Sequence, residues 1–185
     1  MEQGNLLALP RTVWAANRSE EASLRRLVLE YYDREYVAIR RYLSFLSVNP
    51  ETAREIVQES FLKLHEHLLA NGDRTNLRAW LYRVAHNLAR NAQMASHSLK
   101  TDPLDIDVAR EACAIAASPE QELLAQERSL RLRRAMHKLS TAQKECLVLR
   151  AEGLRYREIA QVLNLSVSTV GENVQRGLEK LKEII

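Results

Sequence analysis

One face of a predicted helix that follows Asn76 carries arginine, asparagine and aromatic side chains at helical spacing. Its members are Arg78, Tyr82, Arg83, His86, Asn87, Arg90 and Asn91. Guanidinium groups bind phosphates, carboxamides hydrogen-bond base edges, and aromatic rings stack on unpaired bases for about 1–3 kcal/mol each. This face is therefore suited to nucleic acid. The opposite face is apolar and includes Trp80, which we expect in the core.

The segment from Tyr156 to Leu181 has the spacing of a helix-turn-helix. Asn164 tolerates the left-handed conformation of the turn, Ala160 is small at the helix crossing, and Val170 is expected to hold the second helix in place. A plain helical hairpin is the alternative. The second helix would present polar residues to a major groove, namely Ser168, Thr169, Gly171, Glu172, Asn173, Gln175 and Arg176.

The other residue types that support catalysis or metal binding form no recognisable site. His65 and His67 are two residues apart on a predicted helix, so they point about 200° apart and cannot share a metal ion. Cys113 and Cys146 match no zinc motif and are too few for a disulfide framework, so a reducing compartment is expected. We predict no metal site, cofactor, catalytic group or functional disulfide.

Composition favours an all-α fold. The chain has 185 residues, of which 46% are hydrophobic and 28% charged, which is enough apolar material for a core. Five glycines and four prolines leave little turn chemistry for short strands. No segment approaches about 18 consecutive apolar residues and no basic run precedes residues 6–9, so we expect a cytoplasmic protein without a signal peptide or membrane span.

Charge is unevenly distributed along the chain. The net charge is +3, but residues 74–100 hold five basic and no acidic side chains, residues 101–127 sum to −6, and residues 128–185 sum to +6. Two basic zones predict a polyanionic partner with two contact zones, with solvated helix surface as the alternative. The acidic block holds Pro103 and Pro119 and no sustained apolar stripe, which predicts a linker.

Apolar periodicity places three helices before that linker. The first is predicted from Leu24 to Leu46. The second follows Asn49 and Pro50, which suit the N-cap and the first helical position, and the third follows the cap residue Asn76.

After the linker, residues 128–138 have the pattern of a basic amphipathic helix, Ser140 and Gln143 form a capping box, and Gly153 ends the helix that follows. We predict two small helical domains, a three-helix N-terminal domain and a four-helix C-terminal domain, joined by a flexible acidic linker. The boundaries are an N-terminal tail at 1–19, a domain at 20–97, the linker at 98–127 and a domain at 128–185.

Three motifs, in this order, resemble those of the extracytoplasmic-function (ECF) class of bacterial sigma factors. They are AREIVQESFLKL at 53–64, LRAWLYRVAHN at 77–87, and the helix-turn-helix segment at 156–181. The resemblance covers residues 24–185. It implies a region 2-like domain that binds core RNA polymerase and melts the promoter, and a region 4-like domain that reads duplex promoter DNA. It leaves open whether an anti-sigma factor is a further partner.

The resemblance also implies roles for individual side chains. Polymerase binding would fall to Glu55, Gln58, Glu59 and Lys63. Melted-strand binding would fall to Asn71, Arg74, Asn76, Arg83, Asn87 and Arg90. Duplex binding would fall to Arg155, Arg157, Ser168, Thr169, Glu172, Asn173, Gln175 and Arg176.

This sequence departs from the family pattern in the C-terminal motif. Gly171 lowers helix propensity in the recognition helix, and Glu172 repels phosphate although it can accept a hydrogen bond from cytosine. Arg155 stands where the family has a capping hydroxyl. Two other functions stay open: a stand-alone helix-turn-helix regulator with an N-terminal sensing or dimerisation domain, and, less favoured, a small helical enzyme, for which no nucleophile and base share a suitable spacing.

Overall fold

Helices account for all the regular secondary structure in the parts of the chain that are described. The computed structural model describes the backbone of residues 11–97 and 135–182, and the side chains of residues 20–95 and 135–182. The helices are α1 (Arg11–Phe45), α2 (Pro50–Leu69), α3 (Leu77–His97), α4 (Thr141–Ala151), α5 (Tyr156–Leu163) and α6 (Val167–Lys182). The predicted all-α fold class is confirmed. The predicted linker at 98–127 lies outside the described residues.

Helix ends agree closely with the capping residues in the sequence. The Asn49 side chain accepts a hydrogen bond from the Thr52 amide at 2.8 Å, and Pro50 is the first residue of α2. Ser140 and Gln143 form the predicted capping box at the start of α4. A helical turn at 135–137 precedes α4, whereas residues 128–134 of the predicted basic helix lie outside the described range.

α1 begins earlier than apolar periodicity indicates. It starts at Arg11 rather than at Leu24, so residues 11–19 of the predicted N-terminal tail are helical. Of the described side chains just before Leu24, Glu20, Ala22 and Ser23 are exposed, and exposed positions of a helix need no apolar periodicity.

The helix-turn-helix is formed as predicted. Asn164 adopts the left-handed conformation, with φ 54° and ψ 46°, directly after α5. Ala160 and Val170 are buried where α5 and α6 meet. Ser166 caps α6, because its hydroxyl accepts a hydrogen bond from the Thr169 amide at 3.1 Å. Sequence reasoning did not identify this cap.

The apolar residues at helical spacing on α6 are only partly buried. Val170 and Val174 are buried, whereas Val167 and Leu178 are each 46% exposed. Gly177 is buried instead, and a Cβ at that position would come within 2.7 Å of a Leu147 methyl carbon. The missing side chain of Gly177 therefore lets α6 lie close against α4.

The two halves of the described chain pack against each other. α1, α2 and α3 form a three-helix unit, α4 and α5 pack with α6, and α3 also packs against α5. The buried side chains of both halves form one continuous core. None of the helices within 11–97 and 135–182 is long and apolar enough to cross a membrane.

Candidate nucleic-acid and protein interfaces

The row of side chains predicted on α2 is exposed. Glu55, Gln58, Glu59 and Lys63 all face solvent, and the Lys63 ammonium lies 3.3 Å from the Glu59 carboxylate. Leu62 lies on the same side of the helix and is 65% exposed. Sequence reasoning missed Leu62. The available signal was that this leucine is out of phase with the buried stripe of α2.

The loop between α2 and α3 has a defined shape. Asn71 adopts the left-handed conformation with φ 54°, and the Gly72 amide donates to the His67 carbonyl oxygen at 2.8 Å. The Asp73 carboxylate accepts hydrogen bonds from the Thr75 amide at 2.9 Å and from the Thr75 hydroxyl at 2.8 Å. These two bonds lower the pKa of Asp73, so the carboxylate is the form that holds the turn.

The three loop residues predicted to contact a melted strand lie in different settings. Asn71 and Arg74 are exposed. Asn76 is half-buried, and its side-chain oxygen accepts a hydrogen bond from the Ala79 amide at 3.3 Å, which is the predicted N-cap of α3. The structure therefore gives Asn76 a capping role, with part of its side chain still accessible.

The predicted row on α3 is exposed along its length. Arg83, Asn87 and Arg90 follow one another at steps of four and three, so they lie on one side of the helix. Arg83 and Asn87 face solvent. Arg90 is also exposed, and its guanidinium lies 3.8 Å from the Glu145 carboxylate of α4.

The expectation that Tyr82 and His86 share this exposed face is wrong. Both side chains are buried, and Arg78 is only partly exposed. The physical reason is that α3 packs against α1, α2 and α5, and that Tyr42 of α1 contacts both the Tyr82 and the His86 rings. Trp80, expected in the core, is half-buried and its ring stacks on the His67 ring at a centroid distance of 4.7 Å.

Ionisable groups from both halves of the described chain lie near the buried His86 side chain. The Tyr42 hydroxyl lies 2.7 Å from His86 Nδ1. Burial, with a smaller contribution from Arg90, lowers the pKa of His86 to about 4. Burial raises the pKa of Glu145, which Arg90 partly opposes. Burial and the neighbouring Glu145 raise the pKa of Cys146 to about 11, so this thiol is an unreactive core residue.

A second set of charged groups ties α1 and α3 to the turn between α4 and α5. Arg41 donates two hydrogen bonds to the Glu152 carboxylate at 2.7 and 2.6 Å. Arg78 donates to Glu35 at 2.9 Å and to the Glu152 carbonyl oxygen at 2.6 Å. Arg78, predicted as a nucleic-acid contact by position, is therefore committed to contacts inside the protein.

The predicted duplex-binding residues are largely exposed. Ser168, Thr169, Glu172, Gln175 and Arg176 face solvent on α6, and Arg155 and Arg157 face solvent at the start of α5.

Internal contacts modify two positions on this surface. The half-buried Asn173 donates to the Thr169 carbonyl oxygen at 2.9 Å. Arg176 lies 3.4 Å from Glu172, so part of its charge is neutralised. Gly171, despite its low helix propensity, lies within the unbroken α6.

Within the described side chains, no three His, Cys, Asp or Glu residues come together as a metal site. The geometry instead presents three separate polar surfaces on helices, and comparison with known proteins identifies the class to which such a chain belongs.

Two family profiles match the chain. Sigma-70 region 2 matches residues 31–95, which span the C-terminal part of α1, all of α2 and nearly all of α3. Sigma-70, region 4 matches residues 129–181, which include α4, α5 and most of α6. The ECF RNA polymerase sigma-E factor of Haemophilus influenzae is 27% identical over 176 residues, covering 91% of this chain and 90% of that protein. The RNA polymerase sigma factor YlaC of Bacillus subtilis is 28% identical over 160 residues, covering 86% and 92%.

Solved structures show the same fold. CnrH, in complex with the cytosolic domain of CnrY, matches with a TM-score of 0.59 and 24% identity, covering 91% of this chain and 96% of CnrH. RpoE of Bartonella quintana, in complex with the anti-sigma factor NepR, matches with a TM-score of 0.56 and 20% identity, covering 84% and 96%.

The chain belongs to the ECF class of RNA polymerase sigma factors. Its function is promoter-specific transcription initiation. The alternative of a stand-alone helix-turn-helix regulator is not favoured, because the N-terminal half matches sigma-70 region 2 rather than a sensing domain.

Proposed function

We propose that this sigma factor uses three exposed surfaces to bind core polymerase, the melted promoter strand and duplex promoter DNA. The polymerase surface is formed by Glu55, Gln58, Glu59 and Lys63 around Leu62. The strand surface is formed by Asn71, Arg74, Asn76, Arg83, Asn87 and Arg90. The duplex surface is formed by Arg155, Arg157, Ser168, Thr169, Glu172, Asn173, Gln175 and Arg176. The observation that carries the proposal is the continued exposure of Arg83 and Asn87 on a helix that is otherwise buried on two sides.

The polymerase surface has the composition of a protein-binding site. Leu62 offers an apolar anchor, and the carboxylates of Glu55 and Glu59 flank it. Burying an exposed leucine contributes about 1.5–3 kcal/mol, whereas the flanking charges favour a partner helix of positive charge. Core RNA polymerase is the partner that this surface would bind.

The strand surface combines a loop of fixed shape with a row of side chains. A backbone held by the turn at Asp73 does not have to be ordered when a base is bound, so less conformational entropy is lost. Arg83 and Asn87 continue the polar row along α3, where they would follow the backbone of a melted strand. These features support capture of an unstacked base by the loop and of the adjoining strand by α3.

The duplex surface follows the usual geometry of a helix-turn-helix. The first turns of α6 carry Ser168, Thr169 and Glu172, which would meet base edges, while Arg176 and the start of α5 would meet phosphates. The Glu172 carboxylate can accept a hydrogen bond from cytosine, and Arg176 at 3.4 Å offsets part of its repulsion of phosphate.

We also propose the division into domains at 20–97 and 128–185, joined by 98–127. In this assignment the chain contributes no catalytic group, because core polymerase performs the polymerisation, and it acts in the cytoplasm. An anti-sigma factor is a further candidate partner, which co-purification of the natural protein would test.

The experiment that separates the two DNA surfaces uses Asn87→Ala and Arg176→Ala in holoenzyme. The template is a promoter selected by the wild-type holoenzyme from a random duplex library, used as full duplex and with the melted segment premismatched. Asn87→Ala should reduce permanganate-reactive open complex on the duplex more than it reduces initial binding. Arg176→Ala should weaken initial binding and lower its salt dependence by about one unit of slope.

Arg26→Ala is the matched control, because it removes one exposed positive charge from α1 outside the three surfaces. Equal losses of binding from Arg26→Ala and Arg176→Ala would show that Arg176 acts only through its general positive charge and not through a specific contact with the duplex. A normal level of melting with Asn87→Ala would remove α3 from the strand surface.

A further inference from the structure

His67 lies at the end of α2, outside all three surfaces, and its ring contacts both the loop and α3. Its ring stacks on Trp80 at a centroid distance of 4.7 Å and an interplanar angle of 26°. Its Nε2 lies 3.0 Å from the Asp73 carbonyl oxygen. A carbonyl oxygen only accepts hydrogen bonds, so Nε2 carries the proton and donates it to the loop.

Gly72 lies directly against this ring. A Cβ built on Gly72 would overlap the His67 imidazole, which occupies the space that any side chain at position 72 would need. The only positive-φ glycine among the described residues is Gly153, so the backbone at Gly72 does not itself demand glycine. The absence of a side chain at position 72 is therefore explained by the ring of His67 and not by local backbone strain.

These contacts make His67 the link between three parts of the site. The ring joins the end of α2, the loop at Gly72 and Asp73, and α3 at Trp80. The same Asp73 whose carbonyl oxygen accepts from His67 also forms the turn with Thr75 through its carboxylate. Removing the ring would leave the Asp73 carbonyl oxygen without this donor and would remove the ring stack on Trp80.

We propose that His67 is a positioning residue that holds the loop of the strand surface in the shape that receives an unstacked base. The inference rests on the proposed strand surface. His67 acts through the loop, and no contact between its ring and DNA is required. A loop that is already ordered binds its ligand with less entropic loss, and each side chain that must otherwise be immobilised lowers affinity by about three- to tenfold.

Two single variants and their combination test the proposal in holoenzyme. His67→Ala removes the ring, and Gly72→Ala displaces it. Each should lower the yield of permanganate-reactive open complex on the selected duplex promoter by about three- to tenfold, with initial duplex binding unchanged.

The double variant gives the decisive comparison. Once the ring is absent, the three atoms that a methyl group at position 72 would meet first are gone, so Gly72→Ala should cause no further loss in the His67→Ala background. Additive losses would overturn the proposal, because they would show that Gly72 acts independently of His67.

Hydrogen exchange gives a readout of the loop without DNA. The Gly72 amide donates to the His67 backbone carbonyl oxygen, and the Thr75 amide donates to the Asp73 carboxylate. Both amides should exchange faster in His67→Ala than in wild type, because the loop that holds them is less ordered. His65→Gln is the matched control on the same helix, because its Nε2 has no hydrogen-bond partner in the protein. Unchanged exchange in His67→Ala would overturn the proposal.

Failure of this inference is distinguishable from failure of the proposed function. If Arg83→Ala and Asn87→Ala impair melting while His67→Ala and Gly72→Ala do not, the strand surface stands and the role of His67 is refuted. If Arg83→Ala and Asn87→Ala also leave melting unchanged, the strand surface itself is refuted.

Discussion

Replacement of His86 by asparagine should change how the stability of the protein depends on pH. His86 is buried on α3, and the Tyr42 hydroxyl of α1 lies 2.7 Å from its Nδ1. An asparagine oxygen can accept the same hydrogen bond from Tyr42, but it does not titrate. The substitution therefore removes the proton-binding group while keeping an acceptor for the buried hydroxyl.

The sign of the effect follows from the pKa of His86, which burial lowers from 6.5 to about 4. Between these values the unfolded chain binds the proton and the folded protein does not. Stability from neutral His86 is therefore fully present above about pH 6.5 and is lost as the pH falls towards 4. The pKa of Glu145 is raised, so Glu145 acts in the opposite direction, because its folded form takes up a proton first.

At about 1.4 kcal/mol for each pH unit, the gap between the folded and unfolded pKa of His86 corresponds to about 3 kcal/mol in total. At about pH 4.5 most of it, about 2.5 kcal/mol, should already be lost. Both proteins retain Glu145, so its contribution largely cancels when the two are compared.

Urea unfolding followed by circular dichroism at about pH 7 and about pH 4.5 measures this difference. The stability of wild type relative to His86→Asn should fall by about 2.5 kcal/mol between the two conditions. The smaller asparagine leaves a cavity, but its cost is independent of pH and does not enter the comparison. NMR titration of the His86 ring supplies a direct check, since the ring should stay neutral at pH 5. A relative stability that is the same at both pH values would refute the burial of His86 as a neutral group.

Three further outcomes follow from the same contacts. Glu59→Lys should weaken binding to core polymerase by about tenfold without changing helical content, because it reverses a charge beside Leu62; unchanged affinity in a titration would remove the α2 face from the interface. Glu152→Gln, which removes the ion pair with Arg41, should lower the free energy of unfolding by about 1–2 kcal/mol. This loss lies between those of surface and buried ion pairs, because the Glu152 side chain is 6% exposed and that of Arg41 is 52% exposed. A thermal unfolding curve identical to wild type would contradict that contact. In a variant whose other cysteine is serine, Cys146 should react with a thiol reagent about a hundredfold more slowly in the folded protein than in urea, and equal rates would show that its thiol is accessible.

Local interactions explain why much of the fold is readable from sequence. The cap at Asn49, the capping box at Ser140 and Gln143, and the left-handed turn at Asn164 each involve groups within four residues of one another. Such contacts depend on residue type and spacing alone. The same is true of Arg83 and Asn87, whose exposure follows from the position of the apolar stripe on α3.

Contacts between distant residues could not be read in this way. Arg41 and Glu152 are 111 positions apart, and no periodic pattern pairs them. Leu62, by contrast, could have been found from sequence, because its position is out of phase with the buried stripe of α2.

The sequence by itself determined the order of the helices, the caps at Asn49, Asn76 and Ser140, the helix-turn-helix and the family motifs, because these depend on neighbours along the chain. The tertiary structure alone decided that Tyr82 and His86 are buried, because Tyr42 of the distant helix α1 packs against both rings. Tyrosine and histidine are polar enough to face water and apolar enough to be buried, so their burial depends on whether a second helix packs against them. The same holds for His67, whose contacts with Gly72 and Trp80 exist only after α2, the loop and α3 have packed together.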